Sequence, residues 1–103
     1  MIKYLFTLNY PPGRSDEYFA WVRSVSDTLQ EPPELQALRA WDNYFATVPQ
    51  RVVEFEFKDV ASAARYFDRP AIRNVRSQWA QHCDNLQLAV LVLRHDHEKA
   101  GRE

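Results

Sequence analysis

The segment LQLAVLVLRH, Leu86 to His95, carries apolar side chains on both of its faces. At a strand's two-residue period, Leu86, Leu88, Val90 and Val92 fall on one side, and Ala89, Leu91 and Leu93 on the other. A strand that is apolar on both sides needs two covers, whereas a surface strand normally leaves one face in water. The chain has 103 residues, 46% of them hydrophobic and 26% charged, which is the composition of one ordinary globular domain with a single modest core. One cover must then come from the chain's own helices, and a second sheet is the simplest source of the other.

The rest of the sequence supplies those elements. Ile2, Tyr4, Phe6, Leu8 and Tyr10 recur at every second residue and predict a first strand. PPGRS ends it, and Ser15 is expected to cap a helix with Asp16 and Glu17 in its first turn. The stripe Tyr18, Trp21, Val22, Val25 and Leu29 follows the helical period and must be buried. Pro32 and Pro33 stop that helix. Trp41, Tyr44, Phe45, Thr47 and Val48 suit a pleated surface, and Pro49 turns the chain into RVVEFEF, so a hairpin is expected. In its second strand Val53, Phe55 and Phe57 share one face, with Glu54, Glu56 and Lys58 on the other. Asp59 is placed to cap a short helix, a break falls near Asp68 and Arg69, and a longer helix starts at Pro70 with the buried stripe Ile72, Val75, Trp79 and Cys83.

This order predicts an α+β, ferredoxin-like βαββαβ fold, a four-stranded antiparallel sheet with its helices on one face. Residues 1–95 are expected to form the single domain, and 96–103, DHEKAGRE, a flexible charged tail. Leu5, Ala89, Leu91 and Leu93 would make an apolar patch on the face the helices leave open. A second copy of the chain is the expected partner there.

Composition excludes several functions. The net charge of −1 and the lack of a basic stripe argue against nucleic acid. No run approaches the ~20 apolar residues of a membrane span, and the N-terminal segment is broken up by Lys3 and Asn9, unlike a signal peptide. Cys83 is the one cysteine, which rules out an internal disulfide and a cysteine-rich zinc site and points to a reducing cytoplasm. It is expected to be a small buried apolar residue. His95 and His97 have no third ligand at a useful spacing, so no metal is expected.

Chemistry, if present, has few candidates. Tyr4, Phe6, Trp21, Phe55, Tyr66 and Trp79 are expected to converge between sheet and helices, as the lining of a pocket for a small aromatic ligand or simply as core. Tyr66 and His82 are the catalytic candidates. A buried phenol needs a hydrogen-bond partner, and His82, three residues after Trp79, would share one side of the helix and titrate near neutrality. Glu54 or Glu56 could act as a base if buried. The favoured reading pairs them with Lys3, Lys58 or Arg39, setting register. Arg65, Arg69, Arg73 and Arg76 give one helix a basic side, read as a solvated face.

VVEFEFKDVASAARYF, then a proline-started helix with Trp79, then a last strand of LAVLVL type, resembles the dimeric α/β-barrel superfamily, closest in style to antibiotic-biosynthesis-monooxygenase-like domains. The resemblance spans Ile2 to Arg94 and rests on apolar spacing. It implies a homodimer whose sheets face each other, with a ligand pocket in each protomer. It also implies a cofactor-independent monooxygenase-like or isomerase-like reaction on a small aromatic or polyketide-like compound, or a non-catalytic binding or accessory role in the same pocket. Haem-degrading members use an Asn on the first strand with a Trp and a His on the second helix. Asn9, Trp79 and His82 supply those types at a different spacing, so haem and other cofactors are not expected.

Overall fold

The computed structural model describes residues 1–97. The elements follow the order β1 (Ile2–Asn9), α1 (Ser15–Gln30), β2 (Ala37–Asp42), β3 (Arg51–Phe57), α2 (Val60–Asp68), α3 (Pro70–Trp79) and β4 (Asp84–Val92). The four strands form one antiparallel sheet in the order β2-β3-β1-β4, the ferredoxin-like arrangement. Among the described residues no helix is long and apolar enough to cross a membrane. The expected tail begins with Asp96 and His97, which have no regular structure. Its remaining residues, 98–103, lie outside the described ones.

Register places the two faces of the sheet. Tyr4 faces Phe55 and Phe6 faces Val53 across β1 and β3, so the inward rows of the central strands coincide. Phe6, Leu8, Phe55 and Phe57 are buried under the helices. Asp59 accepts from the Ser62 backbone N–H at 2.8 Å and starts α2, which supplies an acceptor for one of the otherwise free first-turn amides. Arg69, in an extended conformation, breaks the helix before Pro70 opens α3.

Several local expectations change. Ser15 does not cap α1. Arg14 holds that position without a side-chain bond, and its carbonyl already accepts from the N–H groups of Glu17 and Tyr18. The second strand stops at Asp42, and Tyr44, Phe45 and Val48 project from a loop, Tyr44 at 92% exposure. Asn43 is the reason: its side-chain amide donates to Thr47 and to the Pro49 carbonyl, and its oxygen accepts from the Phe45 N–H. These side-chain bonds replace a strand ladder with a turn. The last helix ends at Trp79, short of Cys83, and the last strand begins at Asp84 rather than Leu86.

The helices do not fully cover the last strand. Trp79 packs on Phe6, ring centroids 4.6 Å apart, and the Arg76 guanidinium lies over Phe6 and Phe67, which centres α3 over β1. Leu88, Val90 and Val92, on the helix side of β4, are therefore 39–52% exposed. On the opposite face Leu91 and Leu93 are also about half exposed. The sheet edge at β4 is thus open on both sides, where the sequence alone predicted one side closed.

Candidate functional site

The aromatic residues expected to line a pocket separate into two groups. Tyr4, Phe6, Phe55 and Tyr66 pack into a closed cluster around Phe57 and Phe67. Tyr4 stacks on Phe67 at 4.6 Å, Phe55 lies 5.7 Å from Phe67, and Phe57 lies 5.1 Å from Tyr66. Large rings meeting large rings leave little void between them. Trp21 and Trp79 instead form part of the wall of a separate chamber.

That chamber lies between α1 and the β2–β3 side of the sheet, with a volume of about 230 Å³. It exists because small side chains face each other there. Tyr18, Trp21, Val22 and Val25 come from α1, and Leu38, Ala40 and Val53 come from the sheet. Trp79 closes the inner end, packed against Phe6 and Trp21. Ser26, Gln30 and Arg39 also reach the wall, and two further polar groups, Tyr18 and Arg51, are largely buried there. Tyr18 is 1% exposed, and its hydroxyl accepts from the Trp79 indole N–H at 3.3 Å. Burial pushes its phenol up to about 12 against the opposing pull of the Trp79 N–H and the Arg51 charge, so it is a neutral hydrogen-bond donor at physiological pH.

Arg51 is the second group. It stands first on β3, on the same face as Val53, Phe55 and Phe57, and its side chain is 12% exposed. Its Nη1 donates to Asp42 at 3.2 Å and to the Tyr10 hydroxyl at 3.4 Å. Asp42 is its in-register neighbour on β2, and Tyr10 also donates to Asp42. The guanidinium lies near the rings of Tyr18 and Phe19. Its Nε is buried and has no partner among the described residues. Neither Tyr18 nor Arg51 was singled out by its chemistry in the sequence. An arginine in phase with an apolar strand face was the available signal.

The two catalytic candidates lie elsewhere. The Tyr66 hydroxyl is not on the chamber wall; it donates to the Leu29 carbonyl at 2.6 Å near the end of α1. Burial holds its phenol protonated, well above the ordinary range. Tyr66→Phe is accordingly expected to cost about 1–3 kcal/mol in chemical denaturation, the penalty for orphaning a buried acceptor. Ligand affinity in the chamber should not change; a variant of unchanged stability that lost activity would return Tyr66 to catalysis. His82 sits beyond the end of α3, its ring stacked on Trp21 at 4.6 Å and 15°. It lines a separate polar cleft with Arg14, Glu17 and Asp84. Trp79 and His82 thus do not share a helix face.

Several other charged groups are held by partners. Glu54 is 6% exposed and accepts from Lys3 at 3.0 Å, Arg39 at 2.7 Å and the Trp41 indole at 3.1 Å. Burial raises its carboxyl pKa, but the bonds from Lys3, Trp41 and Arg39 outweigh that and hold it below the ordinary carboxylate range. Glu56 pairs with Arg39 at 3.1 Å and Lys3 at 3.9 Å. Lys58, the other expected partner, makes no ion pair among the described residues. Arg69 grips Glu34 through two bonds of 3.0 Å, and Arg73 meets Asp68. Asn9 accepts from the Gln50 N–H. Cys83 is buried, its Sγ 3.5 Å from the Trp79 carbonyl, and burial beside Asp84 pushes its thiol up to about 11, far from a reactive thiolate.

No protein-family model matches the sequence, and a search of curated proteins finds no match. Solved structures do match. A DABB-family protein with a ferredoxin-like fold from Mesorhizobium loti aligns over 91% of this chain and 97% of its own, with a TM-score of 0.77 and 16% identity. An antibiotic biosynthesis monooxygenase aligns over 92% of this chain and 100% of its own, with a TM-score of 0.71 and 13% identity. A hydroxynitrile lyase from Passiflora edulis aligns over 94% and 96%, with a TM-score of 0.76 and 12% identity. At these identities the likeness is one of fold, and fold does not set the reaction. The chain has the ferredoxin-like fold that these solved structures share.

Proposed function

We propose that the protein acts as a cytoplasmic homodimer, each protomer holding a small, largely apolar molecule in the chamber between α1 and the β2–β3 side of the sheet. The chamber itself carries this reading: about 230 Å³ of space walled by apolar residues with Tyr18 and Arg51 at its polar end. A void of roughly 150 Å³ accepts benzene, so the occupant is of one-ring size with a small substituent. Relatives in fold named as a monooxygenase and a lyase support an enzyme of the cofactor-independent, monooxygenase-like or isomerase-like kind. The chamber wall contains no carboxylate or imidazole among the described residues. The protein's part is therefore to stabilise charge on a substrate oxygen, with the Tyr18 O–H donating and the Arg51 guanidinium countering it.

The dimer brings the helix-free faces of two sheets together. Along this face Glu54 and Glu56 are already neutralised by Lys3 and Arg39 of their own protomer, which lowers the cost of taking the face out of water. Leu91, Leu93 and Trp41 supply exposed apolar surface around that charged seam.

Occupancy can be read directly, because Trp21 and Trp79 line the chamber. Titration with one-ring aromatics is expected to change tryptophan emission saturably. Val25→Trp, which fills the space, should abolish that change while the protein stays folded. If no ligand changes the emission, or if filling the chamber leaves binding intact, the chamber is not the site.

A further inference from the structure

Arg51 has five N–H groups, and among the described residues all of its hydrogen bonds are made by Nη1. The edge formed by Nε and Nη2 has no acceptor there, and Nε is buried without a partner. Its one ion-pair partner, Asp42, is 61% exposed at a cross-strand distance of 3.2 Å and shares its carboxylate with Tyr10. The Tyr18 hydroxyl accepts from Trp79 but has no acceptor for its own proton among the described residues. A buried, unpartnered Arg51 Nε–H and a buried phenol without an acceptor thus both belong to the wall of a largely apolar chamber.

The charge balance has one sign. Among the described residues Arg39 and Arg51 are the only charged ones on the wall, and Arg39 directs its guanidinium to Glu54 and Glu56 on the far face of the sheet. A ligand without an acceptor atom would leave the Arg51 Nε–H and the Tyr18 proton unsatisfied, and unmet buried donors are costly. A planar oxyanion matches the side-on fork of a guanidinium with two parallel bonds, which a neutral oxygen cannot do as strongly.

We infer that the chamber selects one-ring ligands carrying an oxyanion, a carboxylate or an ionised phenol, bound on the Nε–Nη2 edge of Arg51 with Tyr18 as a second donor. This rests on the small-molecule reading above and narrows it. It also fits a site without its own base, because such a ligand arrives already deprotonated.

The test uses matched pairs on the wild-type protein: benzoate against benzamide, and para-nitrophenolate against para-nitroanisole at mildly alkaline pH. Calorimetry or tryptophan emission is expected to show the anion of at least one pair binding about tenfold to a hundredfold tighter than its neutral partner. Whichever pair shows the preference identifies the oxyanion as carboxylate or phenolate. Arg51→Gln should remove that preference, bringing the anion's affinity down to about that of its neutral partner. If neutral compounds bind as well as anions, the oxyanion assignment fails while the chamber reading survives. If neither class binds, both fail together. Because the main comparison uses unmutated protein, a folding defect in the variant does not obscure the result.

Discussion

Replacing Trp79 with alanine is expected to cost about 3–5 kcal/mol of folding stability, the range for deleting a buried tryptophan side chain. Domains of this size have about 5–15 kcal/mol in total, so the substitution removes a substantial share of the protein's stability. The size of the effect follows from the position of the indole. Its ring packs against Phe6, Trp21 and Phe55, and its N–H donates to the buried Tyr18 hydroxyl. Removing it opens the inner wall of the chamber into the aromatic core, and neighbours fixed on a sheet cannot relax to fill that space. Trp79→Phe keeps one six-membered ring but loses the N–H and the pyrrole half of the indole, so a loss of about 1–3 kcal/mol, smaller than for alanine, is expected. Urea unfolding followed by circular dichroism measures both. An alanine variant within about 1 kcal/mol of wild type would remove Trp79 from its position at the junction of core and chamber.

Leu91→Asp is expected to dissociate the proposed homodimer. Leu91 lies on the helix-free face, opposite Lys3 in register, and is about half exposed in the single protomer, so the protomer tolerates the change. In a two-fold dimer the substitution occurs twice across one interface. Burying an unpaired carboxylate costs about 2 kcal/mol or more at each position, and together on the order of a thousandfold in the dissociation constant. Sedimentation should show wild type at twice the 12.2 kDa protomer mass and the variant at the protomer mass with an unchanged far-UV spectrum. Wild type sedimenting as a 12.2 kDa species at micromolar concentration would refute the dimer outright.

The strand and helix sequence, the antiparallel sheet and the helix-bearing face could all be read from the chain, because two-residue and 3.6-residue periods are local properties. Asp59 and Pro70 marked helix starts for the same reason. Asn43 was harder: its turn overrides the β-favouring residues Tyr44, Phe45 and Val48 through side-chain bonds that propensity does not register. The end of α3 at Trp79 was missed because Cys83 continues the apolar spacing although the chain has already turned.

The site was less legible. Tyr66 and His82 were reasonable candidates by residue type, but their partners, the Leu29 carbonyl and the Trp21 ring, lie 37 and 61 residues away in sequence or on another element. A buried tyrosine can be structural or chemical, and only its partner separates the two. Arg51 could have been noticed as a charge on an apolar face, yet its free guanidinium edge appears only when Tyr10, Asp42 and Tyr18 are brought around it.

The sequence by itself determined the element order, the fold class and the pairing of Glu54 and Glu56 with basic neighbours, since these depend on period, alternation and strand adjacency. Only the tertiary structure decided where space remains inside the protein. Packing is a competition among side-chain volumes drawn from distant segments: the large aromatic rings filled the region under α2 and α3, and Ala40 and Val53 facing Val22 and Val25 of α1 left the chamber open beside Tyr18 and Arg51.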